Sequence, residues 1–260
     1  MGVLTLIGMG SGNPEHLTLQ AIRAINAQDV ILIPQKGAQK ADLAELRFTI
    51  CSEVLTNQET RVVTVDLPQR DETIADYRAR VDLWHDAIAR SWQDALKDQN
   101  KCDRVALLVW GDPSLYDSTL RIAARLAPAP ELQVIPGITS LQALTAAHRI
   151  PLNEIAEPFM VTTGRQLRAT GWPPGVCTLA VMLDGACAFQ GLDPEGLHIW
   201  WGAYVGMPEE ITRSGPLSAV SDEIVATRAA ARAQHGWMMD IYLLRKAASL
   251  TPDPPDPAAT

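Results

Sequence analysis

The sequence lacks the segments that would carry a protein into or across a membrane. Its apolar runs are short: residues 105–110 form one of the longest, about a third of the roughly 20 residues that a membrane-spanning helix needs. The N-terminal residues show no basic stretch followed by an apolar one, so no secretory signal is visible. We therefore expect a cytoplasmic protein that does not cross a membrane.

Paired cysteines and basic runs are scarce as well. The four cysteines form no CxxC pair and have no histidine at metal-ligand spacing, so we expect reduced thiols and no metal site. The 22 Lys and Arg against 30 Asp and Glu give a formal net charge of -8, without any dense basic segment. This balance excludes a nucleic-acid footprint, and it requires a local basic pocket for any anionic ligand.

What the sequence does contain is the composition of an ordinary folded protein, with 47% hydrophobic and 20% charged residues among 260. This length fits two modest domains. In the first part, short apolar runs predict β-strands, and the glycine turns and helical spacing between them indicate a parallel sheet built from crossover connections. The predicted strands cover residues 3–7, 29–33, 62–65, 104–110 and 132–135.

The pattern changes after residue 150, where we place the domain boundary. Beyond it the predicted strands are separated by loops and by fewer helices, which favours a mixed sheet. These strands cover residues 159–163, 177–183, 197–204 and 237–244.

The expected fold is therefore α/β with two domains. Residues 1–150 form an N-terminal domain with a five-stranded parallel sheet, and residues 151–247 form a C-terminal domain with a mixed sheet. The segment 248–260 is rich in proline and is predicted to be disordered.

The first glycine turn admits a dinucleotide-binding interpretation, which the residues around it disfavour. The turn GMGSGNP covers residues 8–14 and opens a helix, but Asn13 stands where the dinucleotide fingerprint needs Gly or Ala. The second strand runs on into Pro34, Gln35 and Lys36 rather than into the acidic residue that would hold a ribose hydroxyl. A nicotinamide-dependent oxidoreductase is thus the weaker alternative.

Three turns at predicted strand ends together resemble the signature segments of the tetrapyrrole (corrin and porphyrin) methyltransferases. They are GMGSGNP at residues 8–14, GDP at 111–113 and IPGITS at 135–140. The resemblance extends over nearly the whole chain. It is strongest for one branch of the family, on the segments VWGDPSLYDST at 109–119, MLDG at 182–185, WGAY at 201–204 and GWMMDIYLL at 236–244.

The resemblance implies an S-adenosylmethionine-dependent enzyme that forms S-adenosylhomocysteine, with the cofactor in a cleft between two α/β domains, and a homodimer. The implied activity belongs to cobalamin biosynthesis: methylation of precorrin-5 at C-1, with loss of the acetyl group as acetate, to give precorrin-6A. Methylation of a different precorrin carbon without deacetylation is the alternative within the family. A noncatalytic carrier of a tetrapyrrole or nucleotide is the alternative outside enzymes.

The resemblance also implies cofactor contacts at particular positions. The segment at Gly111 meets the amino acid part of the cofactor, and the segment at Thr139 lies beneath it. The positions that match the family's contacts are Pro14, Trp110, Gly111, Asp112, Thr139, Ser140, Met182, Leu183, Val205 and Gly206.

Catalysis of acetyl loss needs a group that activates water and a donor for the developing oxyanion. Tyr116 is the candidate donor, Asp112 is the candidate for orienting water or cofactor, and His148 is a third catalytic candidate. Asp117 and Asp184 are further candidates near the predicted cleft.

A tetrapyrrole with many carboxylates needs cations around the site, although the chain as a whole is acidic. We expect a cleft that is locally basic. The candidate substrate contacts are Lys36, Lys40, Arg149 and Arg165.

Overall fold

The structure is a computed structural model that describes residues 1–35, 41–236 and 238–247, together with their side chains except at 41–43. The chain divides into two compact units, Met1–Thr139 and Ser140–Thr260. The division lies one helix before position 150, because the helix Ser140–His148 packs against strands of the second unit. The segment 248–260, for which the sequence predicts disorder, lies outside the described residues.

The described strands of the first unit are β1 (Val3–Gly8), β2 (Val30–Gln35), β3 (Arg61–Asp66), β4 (Arg104–Val109) and β5 (Glu131–Ile135). They form one sheet in the order β3-β2-β4-β1-β5, and each neighbouring pair is parallel. β4 and β1 lie inside the sheet and are almost wholly buried, as expected of apolar strands covered on both faces.

Helices cover both faces of this sheet: α1 (Leu19–Asn26), α2 (Ala41–Val54), α3 (Tyr77–Lys97) and α4 (Thr119–Ala123). On one face, Ile25 of α1 and Ile50 of α2 share a buried cluster with Ile31. On the other face, Trp92 of α3 and Ile122 of α4 share a cluster with β1 and β4. The connections that follow the adjacent strands β1 and β4 therefore leave toward opposite faces. Such a switch point opens a crevice at the carboxyl ends of the two strands, where ligands bind in open α/β sheets.

The described strands of the second unit are β6 (Phe159–Thr163), β7 (Thr178–Met182), β8 (Leu197–Ala203), β9 (Ile211–Pro216) and β10 (Asp240–Lys246). They form a mixed sheet in the order β6-β7-β10-β8-β9. β6 runs parallel to β7, whereas β10 is antiparallel to β7 and β8, and β8 is antiparallel to β9. The carboxyl ends of β6, β7 and β8 consequently meet at one edge of the sheet.

Three α-helices belong to the second unit in the part of the chain that the structure describes: α5 (Ser140–His148), α6 (Gly164–Thr170) and α7 (Leu217–His235). α6 makes the parallel crossover from β6 to β7. The core lies over the sheet, and in it the rings of Phe189 and Tyr242 meet edge to face at 5.2 Å.

The predicted fold class is confirmed: one sheet is parallel with five described strands and the other is mixed. The sequence analysis did not predict α7, a helix of 19 residues in the second unit. Its buried residues Leu217, Ile224 and Ala231 recur only once every two turns, so its apolar pattern is weak. The sequence analysis also did not predict β9, whose residues ITRSGP carry little apolar character.

No helix within the described ranges is long and apolar enough to span a membrane.

Candidate active site

The three signature turns meet at the carboxyl edge of the first sheet, because they follow the adjacent strands β4, β1 and β5. Gly10 and Gly111 pair as an antiparallel bridge, in which the Gly111 N–H donates to the Gly10 carbonyl at 2.8 Å. Met9 N–H donates to the Val109 carbonyl at 2.8 Å. The turns after β1 and β4 are thus joined backbone to backbone.

Glycine is required where the backbones of these turns approach one another. A Cβ on Gly137 would lie 2.1 Å from the Gly111 carbonyl oxygen, and a Cβ on Gly8 would lie 2.5 Å from the Gly137 nitrogen. Gly111 also has a φ of 62°, in the left-handed region that favours glycine. The signature glycines therefore close the site by letting three turns pack together.

Asp112 links the turn after β4 to the turn after β5. One carboxylate oxygen accepts the Gly137 N–H at 2.9 Å, and the other accepts the Ser114 N–H at 2.8 Å and its hydroxyl. Burial raises the pKa of Asp112, but the Ser114 and Gly137 donors outweigh it, and the pKa lies below its ordinary value. The carboxylate is therefore charged at neutral pH and acts as a brace of the site. A catalytic role for Asp112 stays a prediction.

Pro14 and Trp110 flank this edge with well-defined local structure. Pro14 begins a short 3₁₀ turn, whose N-cap Asn13 accepts the Glu15 N–H at 2.9 Å. Trp110 is half-buried and packs against the core under α1 and α2, which gives its ring a packing role. Thr139 is half-buried at the end of the first unit.

Tyr116 lies in the loop between β4 and α4 and lines a cavity of about 280 Å³. It has a φ of 50°, in the left-handed region that residues other than glycine seldom adopt. Its side chain is 45% exposed, and burial of the remainder raises the pKa of its hydroxyl. The phenol is therefore protonated at neutral pH and able to donate a hydrogen bond.

In the second unit, the carboxyl ends of β7 and β8 carry the other positions implied by the resemblance. Leu183 follows β7 with a φ of 52° and is 65% exposed, while Met182 is half-buried. After β8, Val205 is buried, and the N–H of Gly206 donates to the Glu210 carboxylate at 2.7 Å. An exposed apolar Leu in a left-handed turn is unfavourable by itself, so neighbouring groups must hold it in place.

Asp184 is the residue that holds this turn. Its carboxylate is buried and accepts the Tyr242 hydroxyl at 2.7 Å, the Arg168 Nη1 at 2.6 Å and the Ala186 N–H at 3.2 Å, besides the Ala188 N–H. Burial raises the pKa of Asp184, but these donors together lower it below the ordinary value. Gly164 makes room, because a Cβ there would overlap the Asp184 carboxyl group at 2.2 Å.

A second buried acid extends the network. Asp240 accepts the Arg228 Nε at 2.9 Å and the Trp201 indole N–H at 3.1 Å. Arg228 also donates through Nη2 to the Asp184 backbone carbonyl at 3.1 Å. The sequence analysis named Asp184 but missed Arg168, Arg228 and Asp240, since residues 16 to 56 positions away from Asp184 carry no local signal of pairing.

His148 ends α5, and its Nε2 donates to the Trp201 carbonyl at 3.0 Å. Burial lowers the pKa of the imidazole, so the ring is neutral at pH 7. This places His148 against β8, with one ring nitrogen already bonded. Ser140 begins the same helix.

Two of the four residues predicted to contact the substrate, Arg149 and Arg165, lie within the described part of the chain. Arg165 is exposed in the first turn of α6, at the edge where β6 and β7 end, and Arg149 is exposed just after α5 with a φ of 57°. Lys36 and Lys40 lie outside the described residues.

The fold and the site together define a class of protein: an α/β enzyme. Its first unit has a crevice at the switch point of a parallel sheet, bordered by glycine turns, and its second α/β unit has a mixed sheet. The family model of the Tetrapyrrole (Corrin/Porphyrin) Methylases matches residues 3–221. The chain belongs to this family, and it is a methyltransferase that uses S-adenosylmethionine and acts on a small-molecule tetrapyrrole. An oxidoreductase is thereby set aside.

Individual relatives agree with this assignment. A Sinorhizobium sp. protein named precorrin-6A synthase [deacetylating] is 49% identical over 253 residues, which cover 95% of this chain and 97% of the relative. The crystal structure of a cobalamin synthesis related protein, CobF, from Corynebacterium diphtheriae matches with a TM-score of 0.79 and 36% identity, over 95% of this chain and 99% of that one.

A more distant structure supports the fold. The uroporphyrin-III C-methyl transferase of Thermus thermophilus, complexed with S-adenyl homocysteine, matches with a TM-score of 0.58 and 20% identity, over 96% of this chain and 100% of that one.

The residues present suit such a cofactor. Gly111 is open, since a Cβ there would meet only the Thr139 Cα at 3.8 Å, so a ligand can approach the backbone of the first sheet's edge. At the second sheet's edge, Leu183 offers an exposed apolar side chain. Backbone polar groups match a zwitterionic methionyl group, and an apolar side chain matches adenosine or a methyl group.

Proposed function

We propose that the chain methylates precorrin-5 at C-1 with loss of the acetyl group as acetate, giving precorrin-6A. The observation that carries this proposal is the 49% identity, over nearly the full length of both chains, to a protein named precorrin-6A synthase [deacetylating]. A protein named precorrin-2 C(20)-methyltransferase, also from Sinorhizobium sp., is only 26% identical over 65% of this chain.

S-adenosylmethionine supplies an electrophilic methyl group when bound, so the chain's own contribution to methyl transfer is positioning and exclusion of water. We assign the cofactor contacts in the first unit to Pro14 and to the backbone of Trp110, Gly111, Asp112 and Thr139. In the second unit we assign them to Ser140, Met182, Leu183, Val205 and Gly206.

Acetyl loss generates the nucleophile that methylation needs. The oxygen of water adds to the acetyl carbonyl carbon, the bond from this carbon to the ring breaks, and its electron pair stays on the ring carbon. Acetate and the two protons of the water leave, and the ring carbon then takes the methyl group. Tyr116, whose phenol stays protonated, donates to the acetyl oxygen as negative charge develops there.

The exposed guanidinium groups of Arg149 and Arg165 suit carboxylate side chains of the substrate. A homodimer in the cytoplasm completes the proposal. Exposed apolar residues of the second unit, Ile155, Phe159 and Met160, support self-association, which light scattering of the purified protein measures.

The test is product analysis with precorrin-5 and S-adenosylmethionine. Mass spectrometry should show a product that has gained a methyl group and lost an acetyl group, with acetate released in equal amount. A product with the methyl gain alone would contradict the proposal in favour of another precorrin methylation. Calorimetry should show that the protein binds S-adenosylhomocysteine, and absence of binding would remove the assigned cofactor contacts.

A further inference from the structure

A cavity of about 280 Å³ lies within the first unit, beside the ends of β2 and β4. Its floor is apolar, formed by Leu107 and Val109 of β4 together with Ile88, Trp92 and Ile122 of the helices. Pockets for drug-sized ligands have about 300–1,000 Å³, so this cavity suits a small group or a side chain rather than a whole tetrapyrrole.

Polar groups from separate parts of the chain surround this floor, and most of them are donors. Arg47 comes from α2, and its Nε donates to the Leu108 carbonyl at 3.0 Å. Arg70 follows β3 and places its guanidinium carbon 4.2 Å from the centre of the Trp84 ring. Ser118 and Thr119 add hydroxyl groups.

Acidic groups are few among the described residues that line the cavity. Asp117 is the acid among them: its negative charge interacts with the Arg47 guanidinium, and its carboxylate accepts the Thr119 N–H at 2.6 Å. In the floor, the Trp92 indole N–H is buried without a hydrogen-bond partner in the described part of the chain. Asp117 offsets one of the two guanidinium charges, so the described lining residues still carry an excess of one positive charge besides several neutral donors. This balance favours a ligand that is anionic and offers acceptor atoms.

We propose that this cavity binds a carboxylate, with Arg47 and Arg70 as its cationic partners. The inference rests on the proposed function, which provides two sources of that group: the acetate that leaves, and the acidic side chains of the tetrapyrrole. Guanidinium groups recognise a carboxylate through two parallel hydrogen bonds. Tyr116 lines the same cavity, so the group proposed to donate to the acetyl oxygen lies beside the proposed carboxylate site.

The first experiment uses sodium acetate and the purified protein without substrate. Saturation-transfer NMR on the acetate methyl group should detect binding, and sodium chloride at the same ionic strength should leave the signal unchanged. Arg70→Gln should weaken acetate binding about tenfold or more, the loss expected for a hydrogen bond to a charged group. Arg90→Gln removes one charge from an exposed position on α3 that does not line the cavity, and it should bind acetate as the wild type does.

The second experiment separates the two sources by steady-state kinetics. If Arg70→Gln weakens product inhibition by acetate and leaves the KM for precorrin-5 unchanged, the cavity is assigned to the leaving acetate. If Arg70→Gln weakens acetate binding and also raises the KM for precorrin-5 about tenfold, the cavity is assigned to a side chain of the substrate. Arg47→Gln should act in the same direction as Arg70→Gln. Because Arg47 also donates a hydrogen bond to β4, the unfolding curve of the Arg47→Gln protein is measured as well, to check that this variant is folded.

The proposal is wrong if Arg70→Gln and a folded Arg47→Gln match the wild type in acetate binding and in KM. That failure is distinct from a failure of the proposed function, since the mass of the wild-type product decides the latter without reference to this cavity.

Discussion

Replacing Asp184 by asparagine tests whether one buried carboxylate holds the turn that presents Leu183. The Asp184 side chain is only 2% exposed, and both of its oxygens accept hydrogen bonds. Asparagine retains one acceptor oxygen and places an NH₂ group where the other oxygen was. In the less costly orientation of the asparagine amide, its oxygen still accepts hydrogen bonds from the Tyr242 hydroxyl and the Ala188 N–H. Its NH₂ group then faces Arg168 and the Ala186 N–H, which are donors themselves.

The expected cost follows from what that orientation loses. A hydrogen bond to a charged group contributes about 1.5–3 kcal/mol, and breaking a buried ion pair costs about 3–5 kcal/mol. The Arg168 side chain is 43% exposed and can return to water, which reduces the penalty. We therefore expect Asp184→Asn to lower the free energy of unfolding by about 2–4 kcal/mol. Tyr242→Phe, which removes one donor, should lower it by about 1.5–3 kcal/mol.

The assay is urea unfolding followed by circular dichroism, with Asp193→Asn as the matched control. Asp193 is exposed, and its carboxylate accepts the Glu195 N–H at 3.1 Å, so the control should change stability by less than about 0.5 kcal/mol. The loosened turn should also raise the KM for S-adenosylmethionine more than it lowers kcat. An Asp184→Asn protein as stable as the control would refute the reasoning.

The same network predicts a pH dependence. The pKa of Asp184 is lower in the folded than in the unfolded chain, so its contribution to stability is present above the unfolded value. It is lost as the pH falls through the folded pKa. Unfolding free energies measured from pH 7 down into the acid range should therefore decline more steeply for the wild type than for Asp184→Asn, and parallel curves would contradict the assignment.

Three further predictions concern other parts of the molecule. Gly137→Ala should lower the unfolding free energy by more than about 2 kcal/mol in urea, because its Cβ would lie 2.1 Å from a backbone oxygen. Gly185→Ala, with no atom within 4 Å of the new Cβ, is its control and should stay within about 0.5 kcal/mol. Tyr116→Phe should bind S-adenosylhomocysteine normally in calorimetry but release acetate at least about tenfold more slowly; full activity would remove its assigned role. Burial raises the pKa of the Cys51 thiol to about 11, so iodoacetamide at pH 8 should label the half-buried Cys102 first, as peptide mass spectrometry can show. Equal labelling of both thiols would contradict this.

The strands of the first unit were predictable from the sequence because they are covered on both faces. Such strands read as nearly continuous apolar runs, as in β4, and only their bounds differ by a residue or two from the prediction. α7 and β9 were not predictable in the same way. A helix rich in alanine with widely spaced buried residues, and a polar strand at the edge of a sheet, form through their neighbours rather than through their own pattern.

The candidate site shows the same difference between features with a local sequence pattern and features that depend on distant residues. The signature turns could be named from their residues, because glycine and proline mark turns wherever they lie. That they meet depends on the order β4-β1-β5, which chain order does not contain. The donors around Asp184 and the cations beside the cavity come from distant segments.

By itself, the sequence determined the elements with strong local patterns, the α/β class, and the turns that identify the family. The tertiary structure alone decided which turns touch, that Asp112 is a brace, and that Asp184 lies buried among four donors. The physical reason is that apolar periodicity and turn chemistry act between near neighbours in the chain. Hydrogen bonds between buried polar groups act over a few ångströms in space, between residues at any separation in sequence.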